Sequence, residues 1–320
     1  MDTVTGTDIE RAAEWLIRGQ VVAIPTETVY GLAANACDVE AVVQVFSIKQ
    51  RPTFDPLIVH LAGTVELYRY AYSVPDQALI LADAFWPGPL TLVLPKSNVI
   101  PDIVTSGLDT VGLRVPSHPV TLELLKQLPF PLAAPSANPF GYISPTTAAH
   151  VIDQLGGKIP YVLDGGPCKV GVESTIVGFE GDEVVVYRLG GLPLEELRRV
   201  VKNVNMRTTS SSDPRAPGML DSHYAPRCPL VVGDLEELLK MYSSKRAGVI
   251  SFNEDYSTRH GVVHAEKLSA SGDLREAAAR LFAAMRRADA SGVEVILTEL
   301  VPEEGLGRAI NDRLLRAAHR

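Results

Sequence analysis

From residue 230 onward, short apolar runs alternate with amphipathic stretches. The apolar runs cover residues 230–232, 247–252 and 293–297, and the amphipathic stretches cover 234–242, 272–290 and 307–320. A strand that is apolar throughout must be covered on both faces, and helices between such strands do this when the strands lie parallel in one sheet. The pattern predicts a small open α/β sheet, Rossmann-like in outline, over residues 230–320. Its glycines form no G-x-G-x-x-G or G-x-x-x-x-G-K-[ST] loop, and neither does the rest of the chain, so the usual nucleotide fingerprints are absent. At 320 residues the chain has room for a second, larger domain ahead of this one.

Residues 202–222 are polar, with Thr208-Thr209-Ser210-Ser211-Ser212-Asp213 at their centre, which is a linker composition. The expected organisation is a first domain over 1–201, a linker over 202–229 and the small domain over 230–320. The linker ends on Pro217-Gly218-Met219-Leu220-Asp221-Ser222-His223-Tyr224-Ala225-Pro226. Two rings held between prolines lose little entropy on ordering, so this run is expected to act as a lid over a ligand cavity.

In the first domain, residues 8–19 read as a helix with Ile9, Ala12, Ala13, Leu16 and Ile17 on one face, capped by Thr7 or Asp8. Residues 39–48 read as another, with Val39, Val42, Val43 and Phe46 inward. This second helix delivers Lys49 and Arg51. Pro52 keeps Arg51 out of the helical region, so the two cations leave on extended backbone and face one anion together. Arginine supplies a planar fork for such a ligand and lysine a point charge. A strand ending at His60 follows.

Thr26-Glu27-Thr28 closes a short buried strand, and strand ends in α/β sheets are where ligands bind. Arg114 lies inside the apolar run Val111-Gly112-Leu113-Arg114-Val115, where a charge is costly unless paired. It reads as a fork for a carboxylate or phosphate. The small residues of Ala134-Pro135-Ser136-Ala137-Asn138 would let backbone amides approach a ligand. Ser144-Pro145-Thr146-Thr147 reads as a helix start with Pro at the first helical position, and helix N-termini favour anions. Glu173-Ser174-Thr175 sets a hydroxyl pair before a strand, and Arg188 is a second arginine embedded among apolar residues.

A net charge of -8 argues against a broad nucleic-acid surface. The three cysteines, Cys37, Cys168 and Cys228, form no C-x-x-C pair, which excludes a disulfide framework and a zinc knuckle and points to a reducing compartment. Each reads as a small buried apolar residue. The first ten residues are polar and acidic rather than signal-like, and no apolar run reaches the ~20 residues of a membrane span, so the expected location is the cytoplasm.

Taken in order, these stretches resemble the threonylcarbamoyl-AMP synthase family in its longer two-domain form, with a YrdC-like catalytic domain over 1–201. The resemblance rests on Pro25-Thr26-Glu27-Thr28-Val29-Tyr30-Gly31-Leu32, on Lys49-Gln50-Arg51-Pro52 with Pro56-Leu57-Ile58-Val59-His60, on Trp86-Pro87-Gly88-Pro89-Leu90-Thr91, and on Gly112-Leu113-Arg114-Val115-Pro116. It continues through Ala134-Pro135-Ser136-Ala137-Asn138 with Ser144-Pro145-Thr146, Glu173-Ser174-Thr175-Ile176 and the linker end.

The resemblance implies an α/β fold with a twisted mixed sheet around a concave, positive cavity. It implies a nucleotidyltransferase that makes threonylcarbamoyl-AMP and pyrophosphate from L-threonine, bicarbonate and ATP. The product would pass to a separate transferase complex that modifies tRNA to N6-threonylcarbamoyladenosine, with at most a weak direct tRNA contact and no membrane. By resemblance, Thr28, His60, Arg114, Ala134 and Ser174 contact threonine. Lys49, Arg51, Asp55, Thr110, Ser136, Asn138, Ser144, Arg188 and Tyr224 contact ATP, with Lys49 and Arg51 stabilising the departing pyrophosphate. Asp55 departs from the uncharged residue common in the family, and a carboxylate beside polyphosphate is expected to meet Mg²⁺. Two other readings are an RNA-binding module and a carbamoyltransferase using carbamoyl phosphate; the acidic total speaks against the first and the missing zinc-binding Cys pairs against the second.

Overall fold

The computed structural model describes residues 2–207 and 223–319, so of the lid run Pro217 to Ser222 lies outside the described residues. The described chain divides into two units. One gathers residues 2–140, 145–169 and 173–207; the other gathers 141–144, 170–172 and 223–319.

The first unit is built on strands β1 (Val4–Gly6), β2 (Val22–Ile24), β3 (Gly31–Asn35), β4 (Ile58–His60), β5 (Leu90–Pro95), β6 (Thr110–Arg114), β7 (Leu132–Ala133), β8 (Tyr161–Leu163), β9 (Thr175–Glu180), β10 (Glu183–Arg188) and β11 (Val204–Met206). They form one sheet in the order β1-β8-β2-β3-β7-β4-β6-β5-β9-β10-β11. The sheet is mixed, as expected: β4 runs parallel to β6, β5 antiparallel to β6 and parallel to β9, and β9 antiparallel to β10. Its centre reads as nearly continuous apolar sequence because both faces are covered.

Helix α1 (Ile9–Ile17) starts at Asp8, whose carboxylate accepts from the Arg11 amide at 3.0 Å. Ala12, Ala13 and Leu16 are buried, whereas Ile17, expected inward, is 59% exposed. Helix α2 (Val39–Lys49) buries Ala41, Val42, Val45, Phe46 and Lys49. Val39 and Val43, also expected inward, lie outside. The buried stripe includes Lys49 itself, which rotates it toward Ala41 and Val45 and leaves those two valines at its edge. Gln50 closes the helix in the left-handed region at φ 53. The Arg51 amide reaches back to the Phe46 carbonyl at 3.0 Å and the Gln50 amide to Ser47 at 3.2 Å, a Schellman pattern that turns the chain sharply.

The helix expected to open near Pro145 starts later. It spans Ala148–Leu155, and its cap is Thr147, which accepts from the His150 amide at 3.3 Å. The Pro145 carbonyl is taken by the Tyr30 amide at 2.8 Å, so this segment is spent on packing beside β3 rather than on a helical turn.

The second unit carries strands β12 (Leu230–Val232), β13 (Ala247–Ser251), β14 (Val262–Lys267) and β15 (Val295–Thr298), all parallel, in the order β12-β15-β13-β14. Three of these are the expected apolar runs. The fourth, β14, is half-polar because it is an edge strand, and its Val263 is exposed. Helices Leu274–Ala290 and Gly307–Ala318 bury Leu281, Phe282, Met285, Ile310 and Leu314. All three cysteines are free thiols; Cys168 is buried, while Cys37 and Cys228 are only half-buried. Among the described residues no helix is long and apolar enough to cross a membrane.

Candidate functional site

One face of the first unit's sheet collects the polar residues singled out above. On β6, Thr110, Gly112 and Arg114 alternate onto that face. Strand β4 lies beside it in register, with Ile58 opposite Gly112 and His60 opposite Arg114. On the other side Leu92 of β5 opposes Leu113, so the next pair sets Thr91 against Arg114. A Cβ on Gly112 would sit 3.2 Å from the Thr91 methyl, so glycine keeps this floor low.

Arg114 is buried in spite of its charge, and every part of its fork is placed by backbone or side chains. Its Nε donates to the Gly88 carbonyl at 3.2 Å and its Nη1 to Thr28 Oγ1 at 3.1 Å. Thr28 is itself fixed by Thr26, whose hydroxyl lies 2.8 Å away and donates to the Val29 carbonyl at 2.6 Å. Nη2 stands 2.6 Å from a Glu27 carboxylate oxygen. That contact is close but off-line, so Nη2 makes no well-formed hydrogen bond, and neither do the Glu27 oxygens. Nη2 is thus the arm of Arg114 that no hydrogen bond commits, and a carboxylate arriving there would share it with Glu27. Beside it, His60 is held neutral: burial first, then the Arg114 charge, push its pKa down to about 3. A neutral imidazole next to a guanidinium can accept from or donate to a hydroxyl without adding charge.

Ser174 closes the same face from the turn before β9. Its hydroxyl lies 2.8 Å from Thr91 Oγ1. Arg188 of β10 grips the turn: Nε and Nη2 both donate to the Ser174 carbonyl at 3.1 and 2.9 Å. Glycine is required at 190, because a Cβ there would lie 2.2 Å from the Glu173 carbonyl oxygen. Thr91 was missed by sequence reading because an apolar strand of β-branched residues gives no sign of which hydroxyl faces a site.

A second cluster is cationic. Lys49 and Arg51 come off α2 as expected, although the device that aims them is the left-handed Gln50 together with Pro52. The Lys49 ammonium is 1% exposed and donates to the carbonyls of Ser136 and Asn138. Arg51 donates from Nε to the Asp55 carbonyl at 3.0 Å and from Nη2 to the Pro56 carbonyl at 2.9 Å, and Nη2 lies 2.8 Å from the Asp55 carboxylate. Burial lowers the Lys49 pKa well below the ordinary lysine value, with Arg51 adding to the effect. Burial also raises the Asp55 pKa, against the pull of Arg51, Lys49 and Arg188. Lys49, Arg51 and Arg188 therefore share one neighbourhood with the Asp55 carboxylate.

Anion binding should raise the Lys49 pKa. The sign follows from the direction: a polyphosphate beside the ammonium raises its pKa from the depressed value toward the ordinary one. Protons are then taken up wherever the pH lies between the two, and ATP affinity falls as pH rises through that window. Calorimetric titrations of ATP in buffers of different ionisation heat should report this uptake, and Lys49→Met should abolish it. Equal uptake in the variant would remove Lys49 from the anion site.

Thr110, at the far end of the face, lines a groove of about 520 Å³ with Val93, Leu108, Phe179 and Tyr187. Gly178 makes this possible, since a Cβ there would lie 2.4 Å from the Tyr187 ring. Thr110 and Arg114 are four positions apart on β6, roughly 13 Å along the face. Extending the β4–β6 register back sets Pro56, whose carbonyl Arg51 caps, opposite Thr110.

Thr28, Lys49, Arg51, Asp55, His60, Thr110, Arg114, Ala134, Ser136, Asn138, Ser174 and Arg188 therefore all lie in the first unit. Ser144 and Tyr224 do not. The Ser144 carbonyl accepts from Arg286 Nε at 3.3 Å within the second unit. Tyr224 is buried there, its ring 5.5 Å from the Phe282 ring and 5.0 Å from the Arg313 guanidinium. Glu27, the anion nearest Arg114, was not singled out as a site residue; its partner lies 87 positions away, and no local pattern couples them.

Comparison with known proteins gives the family. A family model described as "Telomere recombination" (Sua5/YciO/YrdC) matches residues 14–190. A second, described as "Threonylcarbamoyl-AMP synthase, C-terminal domain", matches residues 192–319. The threonylcarbamoyl-AMP synthase of Pyrococcus abyssi is 43% identical over 97% of this chain and 96% of its own length. That of Bacillus subtilis is 39% identical over 97% of this chain and 92% of its own length. The crystal structure of P. abyssi Sua5 complexed with L-threonine superposes with a TM-score of 0.92 at 41% identity, covering 99% of this chain and 97% of that one. Two family models that together span nearly the whole chain, and full-length relatives well above 30% identity, leave one conclusion: the chain belongs to the threonylcarbamoyl-AMP synthase family, in its two-domain form.

Proposed function

We propose that the protein forms threonylcarbamoyl-AMP and pyrophosphate from L-threonine, bicarbonate and ATP. The observation that carries this reading is the pair of separate anion sites on one sheet: Arg114, whose Nη2 makes no hydrogen bond, for a carboxylate, and the cluster of Lys49, Arg51 and Arg188 for polyphosphate. Full-length relatives named for this product, and one crystallised with L-threonine, support it.

Threonine would set its carboxylate on Arg114, its hydroxyl near His60 and Thr28, and its α-carbon side toward Ala134 and Ser174. The adenine would lie in the groove beside Thr110, with the phosphates reaching Lys49, Arg51 and Arg188 and the loop of Ser136 and Asn138. The amino group loses a proton and bonds to the carbon of bicarbonate, water leaves, and a carbamate results. A carbamate oxygen then bonds to the α-phosphorus as the bond to the bridging oxygen breaks, and pyrophosphate departs with both electrons. No covalent enzyme intermediate is needed. The protein supplies positioning and cationic stabilisation of the leaving group.

Magnesium would enter as part of the nucleotide. Among the described residues no group of three His, Cys, Asp or Glu side chains is placed to hold a metal ion. Asp55 offers a nearby carboxylate, and it already faces Arg51. Mg²⁺ coordinated by phosphates and water, with Asp55 touching that shell, fits this donor set. The product would pass to a separate complex that transfers the threonylcarbamoyl group to adenosine in tRNA, since a carbamate–phosphate anhydride hydrolyses readily and needs a waiting acceptor.

The deciding experiment is pyrophosphate release by the purified full chain. Release should require threonine and bicarbonate together with ATP, at least tenfold above any pair of the three. Release with carbamoyl phosphate in place of bicarbonate and threonine would favour a carbamoyltransferase instead.

A further inference from the structure

Glu27 is a charged side chain buried in the floor of the proposed amino-acid subsite, 6% exposed, and nothing in the mechanism above uses it. Both of its oxygens lack a hydrogen-bond partner, although one lies 2.6 Å from Arg114 Nη2. The charges around it decide what such a pocket can accept. Arg114 contributes +1 and Glu27 -1. His60 is neutral, with its pKa pushed down to about 3. Burial also lowers the pKa of His118, against the pull of the nearby Glu27 charge. The buried pair is net neutral before any ligand arrives.

A lone carboxylate entering this space brings one uncompensated negative charge close to Glu27. In a buried site that repulsion strongly weakens binding. An α-amino acid zwitterion brings no net charge. Its carboxylate can share Nη2 with Glu27, while its ammonium lies in the field of the Glu27 carboxylate. Resting on the threonine reading above, we propose that Glu27 is a specificity-determining residue: with Arg114 it makes the subsite select zwitterionic amino acids and reject the corresponding acids that lack an amino group.

The test is direct binding to the full chain, by calorimetry, of L-threonine and of 3-hydroxybutanoate, which is threonine without its α-amino group. The wild-type chain should prefer threonine by about 100-fold or more. Glu27→Gln keeps size and an acceptor for Arg114 but removes the charge. It should reduce that preference to within about fivefold, by weakening threonine and sparing or strengthening 3-hydroxybutanoate. Glu27→Asp keeps the charge and should keep most of the preference even if both ligands bind more weakly. ATP binding, read in the same titrations, reports whether each variant is folded.

Equal weakening of both ligands in Glu27→Gln would mean that Glu27 only orients Arg114, and would overturn the inference. So would an unchanged preference. A wild-type chain that binds neither ligand would reject the amino-acid reading itself and this inference with it, a result distinct from either of the others. If Glu27→Gln fails to bind ATP and proves unfolded, Glu27→Asp decides: loss of the preference in that charged, folded variant overturns the proposal, and its retention supports it.

Discussion

Replacing Arg114 with alanine is expected to weaken L-threonine binding by ~2–5 kcal/mol while changing ATP binding less than about tenfold. Two effects add. The variant loses Nη2, the nitrogen of Arg114 that makes no hydrogen bond, since Nε and Nη1 are already committed to Gly88 and Thr28. It also leaves Glu27 buried without its cation, and an uncompensated anion now faces the incoming carboxylate. The second effect can be isolated. Adding Glu27→Gln to Arg114→Ala should restore part of the lost threonine affinity, since it removes the orphaned charge, so the two substitutions should be non-additive by ~1–3 kcal/mol. Lys49→Ala with Arg51→Ala should give the reverse profile, with ATP binding lost and threonine binding largely kept. Titration of each ligand against each variant checks both patterns. Threonine affinity untouched by Arg114→Ala, or ATP affinity untouched by the double variant, would exchange or remove the assigned roles.

The sequence made the chemistry of single residues legible but not their pairing. Arg114 stood out because a charge inside an apolar strand demands a partner, and Lys49 and Arg51 because a helix end and a proline aim them. The partner of Arg114 could not be read, since Glu27 reaches it only through the β4–β6 side of the sheet and the turn after β2. Thr91 was equally hidden: hydroxyl and apolar β-branched residues occupy a buried strand alike. Helix phase went wrong where a polar residue joined the buried face. Val39 and Val43 follow a helical period, but burial of Lys49 turned α2 away from them. The start near Pro145 failed for another reason. Proline suits a first helical turn, yet the Pro145 carbonyl is claimed by Tyr30, and Thr147 supplies the cap instead. In the second unit, alternation was enough for three parallel strands and not for the half-polar edge strand β14.

Tyr224 carries the other large expected effect, and its size comes from what its backbone gives up. Its φ of 65 places a bulky residue in the left-handed region, a conformation that costs about 1–3 kcal/mol. Such a conformation persists where packing over-determines it. Here the ring is 1% exposed, stacked at 29° on Phe282, 5.0 Å from the Arg313 guanidinium, and edge-on to His223 at 4.1 Å. The His223 amide donates to the Arg316 carbonyl at 3.3 Å, which ties the same pair to the helix Gly307–Ala318. Tyr224→Ala should therefore destabilise the second unit by ~3–5 kcal/mol. Faster amide exchange within Leu274–Ala290 would report it, and an unchanged exchange rate would show that the ring is dispensable to packing. Tyr224→Phe separates this packing role from a contact with ATP. It keeps the ring and should cost under ~1 kcal/mol. If the hydroxyl serves the nucleotide, as family resemblance implies, Tyr224→Phe should raise the KM for ATP severalfold at unchanged stability. Unaltered KM and stability would confine Tyr224 to the second unit's core. The lid reading adds one requirement that packing alone does not make: proteolysis between residues 203 and 224 should slow when ATP and threonine are both present. Equal cleavage with and without them, alongside full activity in Tyr224→Phe, would leave the run as a connector between domains.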